Sequence, residues 1–409
     1  MDSRTANPDP MLELAIAIES NDADRVRTTL SLSPHLKARL NEPLPNSGFG
    51  STPLLRAVEL RNRVMIDHLL QAGADIHARS RWWAGSFGVL DQEHGLNEFL
   101  IERGATIDVH VAARLGRLER LKELIEAQSE LVHARGGDGQ TPLHFACSIE
   151  VVDFLLAHGA RIDARDIDHE STAAQYMVRD RTDVARFLVS RGSPTDLLLV
   201  AALGDVDRAR AWLDADPKLI QMRVSERWFP KRNFHSGGCI YIWTLGQNKS
   251  AHTVAREFGH EAVLNLLLER SSLPMRLACA GEAGDGPTVH ALLATHPDLV
   301  RELTGEDQRL VAHAAQQNNT KAVRVMLEAG WPVDARGQHG GTALHWAAWH
   351  GNATLVRLLL QHRASLELKD STYQGTPLVW ARHGSQNSWF RQTGDYGQVI
   401  AAIEAGHAS

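Results

Sequence analysis

The sequence predicts an all-α protein built by repetition, and three observations carry that prediction. One phrase recurs, as "GSTPLLRAVELRN" (50–62), "GQTPLHFACS" (139–148), "GGTALHWAAWHGN" (340–352) and "GTPLVWARHGS" (375–385). A second phrase follows it, as "VMIDHLLQAGADIHAR" (64–79), "EVVDFLLAHGARIDAR" (150–165) and "KAVRVMLEAGWPVDAR" (321–336). The spacing is regular: Gly159 to Gly192 is 33 residues and Thr342 to Thr376 is 34. Within each second phrase the V-x-x-L-L pattern has the three-to-four period of an amphipathic helix. A unit this short cannot bury its own apolar face, so neighbouring units must stack.

Each part of the repeat has a local reason. Thr opens the first helix as a cap, and Pro suits the first helical turn. Leu and paired Ala residues put small apolar groups where helices approach closely. Gly73, Gly104, Gly159, Gly192 and Gly330 end the second helix as left-handed caps. The following A-x-I-x-A-R is extended and runs into a turn. These motifs resemble the ankyrin repeat, with its period of about 33 residues and T-P-L-H-x-A signature. Degenerate copies at 11–31, 87–104, 107–127, 171–192, 196–215, 250–269, 275–294 and 310–330 bring the number to about twelve. The expectation is an all-α ankyrin-repeat solenoid of about twelve helix-pair units with β-hairpin fingers. A single array over residues 1–409 is expected.

Composition narrows the function. The chain is 22% charged and 43% hydrophobic, with net charge −6 and a pI near 6.4, so neither nucleic acid nor an anionic membrane is an expected partner. Cys147, Cys239 and Cys279 lie far apart, which excludes a disulfide framework and a cysteine-rich zinc site. The first twenty residues lack the basic and apolar regions of a signal peptide, and no stretch approaches 18 apolar residues. A soluble, cytoplasmic monomer is expected. No G-x-S-x-G, Walker A, H-E-x-x-H or G-x-G-x-x-G motif occurs, so no cofactor or metal is expected and catalytic residues are unassigned.

The resemblance implies function on the fingers and on the concave inner helix face, so departures from the repeat are informative. One is "SRWWAGSFGVLDQEHG" (80–95), and another is the compressed repeat at 144–156. The longest, "RVSERWFPKRNFHSGGCIYIWTLGQNK" (223–249), reads as an extended finger whose "CIYIW" alternates as a hairpin would. The last, 384–397, is an insertion between the two helices of the final repeat. In the long finger Trp228, Lys231, Arg232 and His235 either bind an acidic ligand or hold the finger to its neighbours. "DIDHES" (166–171) reads as a finger turn led by Asp166, with Asp168 and His169 as candidate contacts and metal or acid–base chemistry as the lesser alternative.

The His of T-P-L-H is, by the resemblance, a cap and inter-repeat hydrogen-bonding residue, which places His144 and His345 in the scaffold. Trp349 and His350 fall on the variable inner positions after Ala347-Ala348, and His383 and the finger-tip His339 join them as candidates. An exposed Trp at such a position usually marks a contact. The expected function is a binding scaffold for a protein or a small anionic ligand in the concave groove, with the 223–249 finger leaning over it. The alternative is an enzyme or small-molecule receptor whose pocket is built from the insertions.

Overall fold

A computed structural model describes residues 9–407. Eleven of the twelve expected units are helix pairs among the described residues, from Pro10–Glu19 with Ala23–Leu32 to Pro377–Asn387 with Tyr396–His407. The shortened copy at 87–104 keeps only Asn97–Ile101. The chain falls into two compact units. Unit 1 comprises residues up to Leu199 together with Val224–Gln247, and unit 2 comprises Val200–Arg223 together with Asn248 onward. No helix among the described residues is long and apolar enough to cross a membrane.

The helix starts follow the chemistry of the repeat phrase. In unit 1, Thr141 and His144 form a reciprocal cap in which the His144 Nδ1 accepts the Thr141 N–H at 3.2 Å. The Nε2 of the same ring donates to the Ser171 carbonyl of the next finger at 3.1 Å. In unit 2, His345 repeats this, with Thr342 N–H at 3.1 Å and the Gly375 carbonyl at 3.1 Å. One imidazole therefore satisfies an orphan donor of its own helix and ties two repeats together. The second helices open on side-chain caps of their own, Asn62 to Met65 N–H and Asn352 to Leu355 N–H. They end at glycines such as Gly159 (φ 91°) and Gly330 (φ 97°), a region where an L side chain is strained.

Each unit buries its own apolar stripe. Met11, Leu14, Leu54, Met65, Ile66, Leu69 and Leu100 are fully or almost fully buried in a core of unit 1. Leu277, Val311, Val323, Leu344, Leu355, Leu359 and Ile403 do the same in unit 2.

The fingers differ from the β-hairpins expected. No strand forms among the described residues; the extended pairing is limited to the isolated bridges Arg165 to Thr172 and Arg223 to Ser250. "CIYIW" does not form a hairpin either, because it runs into a π-helical turn, Ile242–Gly246. The amides of Ile242 and Trp243 bond back to the Cys239 and Ile240 carbonyls, while the Ile240 N–H donates to the Ser171 hydroxyl of a neighbouring finger. The 384–397 insertion also begins differently: the first helix of the last repeat runs on through Asn387 before the chain loops to Tyr396.

Candidate functional site

Three residue pairs in the last complete repeats share one register. His339 and Tyr373 stand three residues before the capping threonines Thr342 and Thr376, Trp346 and Trp380 four after them, and Trp349 and His383 seven after them. Stacking of repeats brings each pair into ring contact, at 5.6 Å for His339 and Tyr373, 5.0 Å for Trp346 and Trp380, and 5.7 Å for Trp349 and His383. On each helix the inner two residues are three apart and so share a face. The three pairs line a cavity of about 500 Å³ in unit 2, joined by Val379 and Trp389.

The cavity walls are mostly rings. Trp380 meets Trp346 at 85° and Trp349 at 75°, so the indoles form walls close to perpendicular. Trp346 and Trp380 are buried and fix the floor, whereas Trp389 is 83% exposed and Tyr373 67% exposed at the rim. Behind Trp380 lies the buried carboxylate of Asp370. Its Oδ2 accepts the Trp380 indole N–H at 2.9 Å and the Gly375 N–H at 2.8 Å, and its Oδ1 accepts the amides of Thr372 and Tyr373. Burial pushes the Asp370 carboxyl up, but these donors, Tyr373 and Trp380 foremost, outweigh it and hold the group below the ordinary carboxylate value. Asp370 is therefore ionised.

Of the residues singled out in unit 2, His339, Trp349 and His383 line this cavity. His350 does not. Its buried Nε2 donates to the Gln316 carbonyl at 2.8 Å, and its ring meets Phe390 edge-on at 4.9 Å. The sequence reading passed over Trp380 and Trp389. Trp380 was signalled by its register with Trp346; for Trp389 the signal was an aromatic in an insertion.

The remaining candidates, Asp168, His169, Trp228, Lys231, Arg232 and His235, come together in unit 1. The segment 224–247 is latched onto the finger at 166–171. Asp168 Oδ1 accepts the Gly237 N–H at 2.9 Å, the His169 Nδ1 donates to the Gly238 carbonyl at 2.9 Å, and Glu170 accepts the amides of Arg232 and Asn233. Tyr241 anchors the other end, its buried hydroxyl donating to Asp196 at 2.9 Å. Between latch and anchor lies a cavity of about 190 Å³ lined by Arg165, His169, Trp228, Lys231, Arg232 and Cys239. Lys231 is partly neutralised by Glu226 at 3.2 Å. His235 is exposed beside the cavity residues in sequence, its ring 5.7 Å from that of Trp83.

The chemistry open to this finger is limited. Asp138, Asp168 and His169 each bring a potential ligand atom to within 4.8 Å of the others, a set that could hold a metal ion. Burial pushes the Asp138 carboxyl up to about 6, against the opposing pull of His169. Burial pushes the Cys239 thiol up to about 11, which favours its protonated form near neutral pH.

Comparison with known proteins places these features. A family model for ankyrin repeats in three copies matches residues 109–197 and 275–370, and one for a single ankyrin repeat matches 49–81, together more than half of the chain. A stretch of 98 residues is 37% identical to E3 ubiquitin-protein ligase XB3 of Oryza sativa subsp. japonica, covering 24% of this chain and 22% of that one. A longer stretch of 341 residues is 26% identical to the ankyrin repeat domain-containing protein SAT10 of Stachybotrys chartarum, covering 74% of this chain and 17% of that one. Protein PhlB of Serratia liquefaciens is 33% identical over 107 residues, 26% of this chain and 46% of PhlB. The chain thus spans less than half the length of each of these relatives. The repeat phrase, the helix pairs it folds into and these matches agree: the chain belongs to the ankyrin repeat family.

Proposed function

We propose that this chain is a binding scaffold that holds a protein partner on its repeats, with the aromatic cleft of unit 2 as the principal recognition site. The observation that carries this reading is the alignment of three ring pairs around a cavity of about 500 Å³ whose rim leaves Trp389 83% exposed. Large exposed rings beside a concave apolar surface are the usual anchors of an interface. The net charge of −6 supports a partner other than nucleic acid, and three free cysteines support a cytoplasmic protein, which we read as a monomer.

The test starts from peptides selected for binding to the full chain from a display library. Trp389→Ala should weaken the selected peptides by on the order of 2 kcal/mol while leaving the melting temperature in place. Trp349→Ala should cost both affinity and stability, since Trp349 also packs against the core of unit 2. Selected peptides that bind both variants as tightly as the parent would sink the cleft as the recognition site.

A second reading, a receptor for a small anionic ligand, is favoured by one observation in unit 1. Arg165, Lys231 and Arg232 line the finger cavity beside Trp228, whose indole N–H is buried without a partner. Charge-assisted hydrogen bonds from such groups suit a carboxylate or phosphate.

A further inference from the structure

The cleft of unit 2 has a chemical bias that its shape alone does not reveal. None of the residues lining it is Asp, Glu, Lys or Arg; its polar groups are chiefly the two imidazoles of His339 and His383. Its field is therefore set by ring quadrupoles, whose faces are negative. Asp370 strengthens that sign. The carboxylate is buried, its donors are four neutral N–H groups, and one of them is the indole N–H of Trp380. A hydrogen bond from indole to carboxylate pushes electron density into the ring and so deepens the attraction of its face for a cation.

We propose that this cleft recognises a methylated ammonium, the side chain of a methylated lysine on the partner, an inference that rests on the reading of the cleft as the binding site. A cation over a Trp face within about 6 Å is attracted most strongly when it is desolvated. An anion would enter a cleft with no cationic side chain on its wall and with the Asp370 carboxylate behind Trp380. A guanidinium brings five N–H donors, more than the two imidazoles and the Tyr373 hydroxyl on the cleft wall can accept once water is expelled, and an unmodified ammonium would need all three of these acceptors at once. A trimethylated ammonium has no N–H donor to satisfy. The cavity of about 500 Å³ is larger than such a head group alone requires, and its rim of Val379, Tyr373 and Trp389 is open to solvent. Room is left for the methylene stem and for backbone on either side.

The experiment is calorimetric titration of the full chain with acetyl-Gly-Lys-Gly-amide in three forms: trimethylated, unmodified, and with the trimethylammonium replaced by an uncharged tert-butyl group. Choline is a fourth probe, and a display-selected peptide is run in parallel. The trimethylated peptide should bind roughly tenfold tighter than the tert-butyl form, and that ratio should collapse in Trp389→Ala. Equal binding of the tert-butyl form would overturn cation recognition while leaving an apolar recognition cleft intact. Equal binding of the unmodified peptide would overturn the preference for methylation. Choline binding as tightly as the trimethylated peptide would overturn a protein-borne source. If none of the four probes binds, the inference fails, and the selected peptide then shows separately whether the cleft binds a partner at all.

Discussion

Replacing Arg223 by methionine is expected to destabilise unit 2 by on the order of 3 to 5 kcal/mol. Arg223 Nη2 donates to Asp307 Oδ1 at 2.8 Å, with the two side chains only 7% and 9% exposed. Asp307 is committed elsewhere too: its Oδ2 accepts the Thr304 hydroxyl at 2.6 Å in a helix cap, and its carbonyl accepts the Trp331 indole N–H at 3.1 Å. The carboxylate cannot swing out to water without undoing that cap. Methionine keeps most of the apolar stem but removes the charge, which leaves a buried anion with no counter-ion. The uncompensated charge, more than the lost attraction, sets the size of the effect. Adding Asp307→Asn should therefore recover part of the loss, because no charge is then left buried. Urea unfolding of the single and double variants reads this directly. A single variant within 1 kcal/mol of the parent (roughly the scale of an exposed pair) would show that the pair is solvated in solution.

The legible parts of this protein were those whose partners are close in sequence or one repeat away. His144 and His345 were readable because a cap spans only three residues, and both make the bonds assigned to them. The floor of the cleft was readable in principle, since Trp346 and Trp380 occupy one register of the repeat, but it emerges only when neighbouring repeats are read as a stack. Trp349 and His350 show the limit of reading by neighbourhood. One residue is about 100° of helix rotation, which is enough to put Trp349 in the cleft and His350 on the Gln316 carbonyl. The 224–247 segment was the least legible. Alternation in "CIYIW" looked like a strand, yet the partners that decide its path, Asp168, Glu170 and Asp196, lie in other repeats. Local pattern yields where tertiary hydrogen bonds are available.

Acid should destabilise both units before exposed carboxylates titrate, because each holds a buried neutral histidine. Burial pushes His144 in unit 1 down to about 4 and His252 in unit 2 down to about 3, the latter with help from the nearby Arg223 charge. An unfolded histidine titrates at about 6.5. Above that value neither state binds the proton and stability is insensitive to these groups. Below it the unfolded chain takes up protons that the folded chain refuses, so stability falls as pH drops from about 6.5 toward 4. For His144 the integrated loss is on the order of 3 kcal/mol at pH 4. The neighbouring repeat supplies the control. Gln175 holds the corresponding place in the next cap, its Oε1 accepting the Thr172 N–H at 2.9 Å and its amide donating onward to Asp196. His144→Gln should thus keep the cap and remove the titration. Urea midpoints measured between pH 7.5 and 4.5 should fall less steeply for the unit 1 transition in that variant, by about 1.4 kcal/mol per pH unit at the steepest. The unit 2 transition, to which His252 and His313 contribute, should keep its slope. An unchanged unit 1 slope in His144→Gln would mean that His144 takes up its proton in the fold as readily as in the unfolded chain, and the neutral tautomer assigned to it from the Ser171 carbonyl would have to be abandoned.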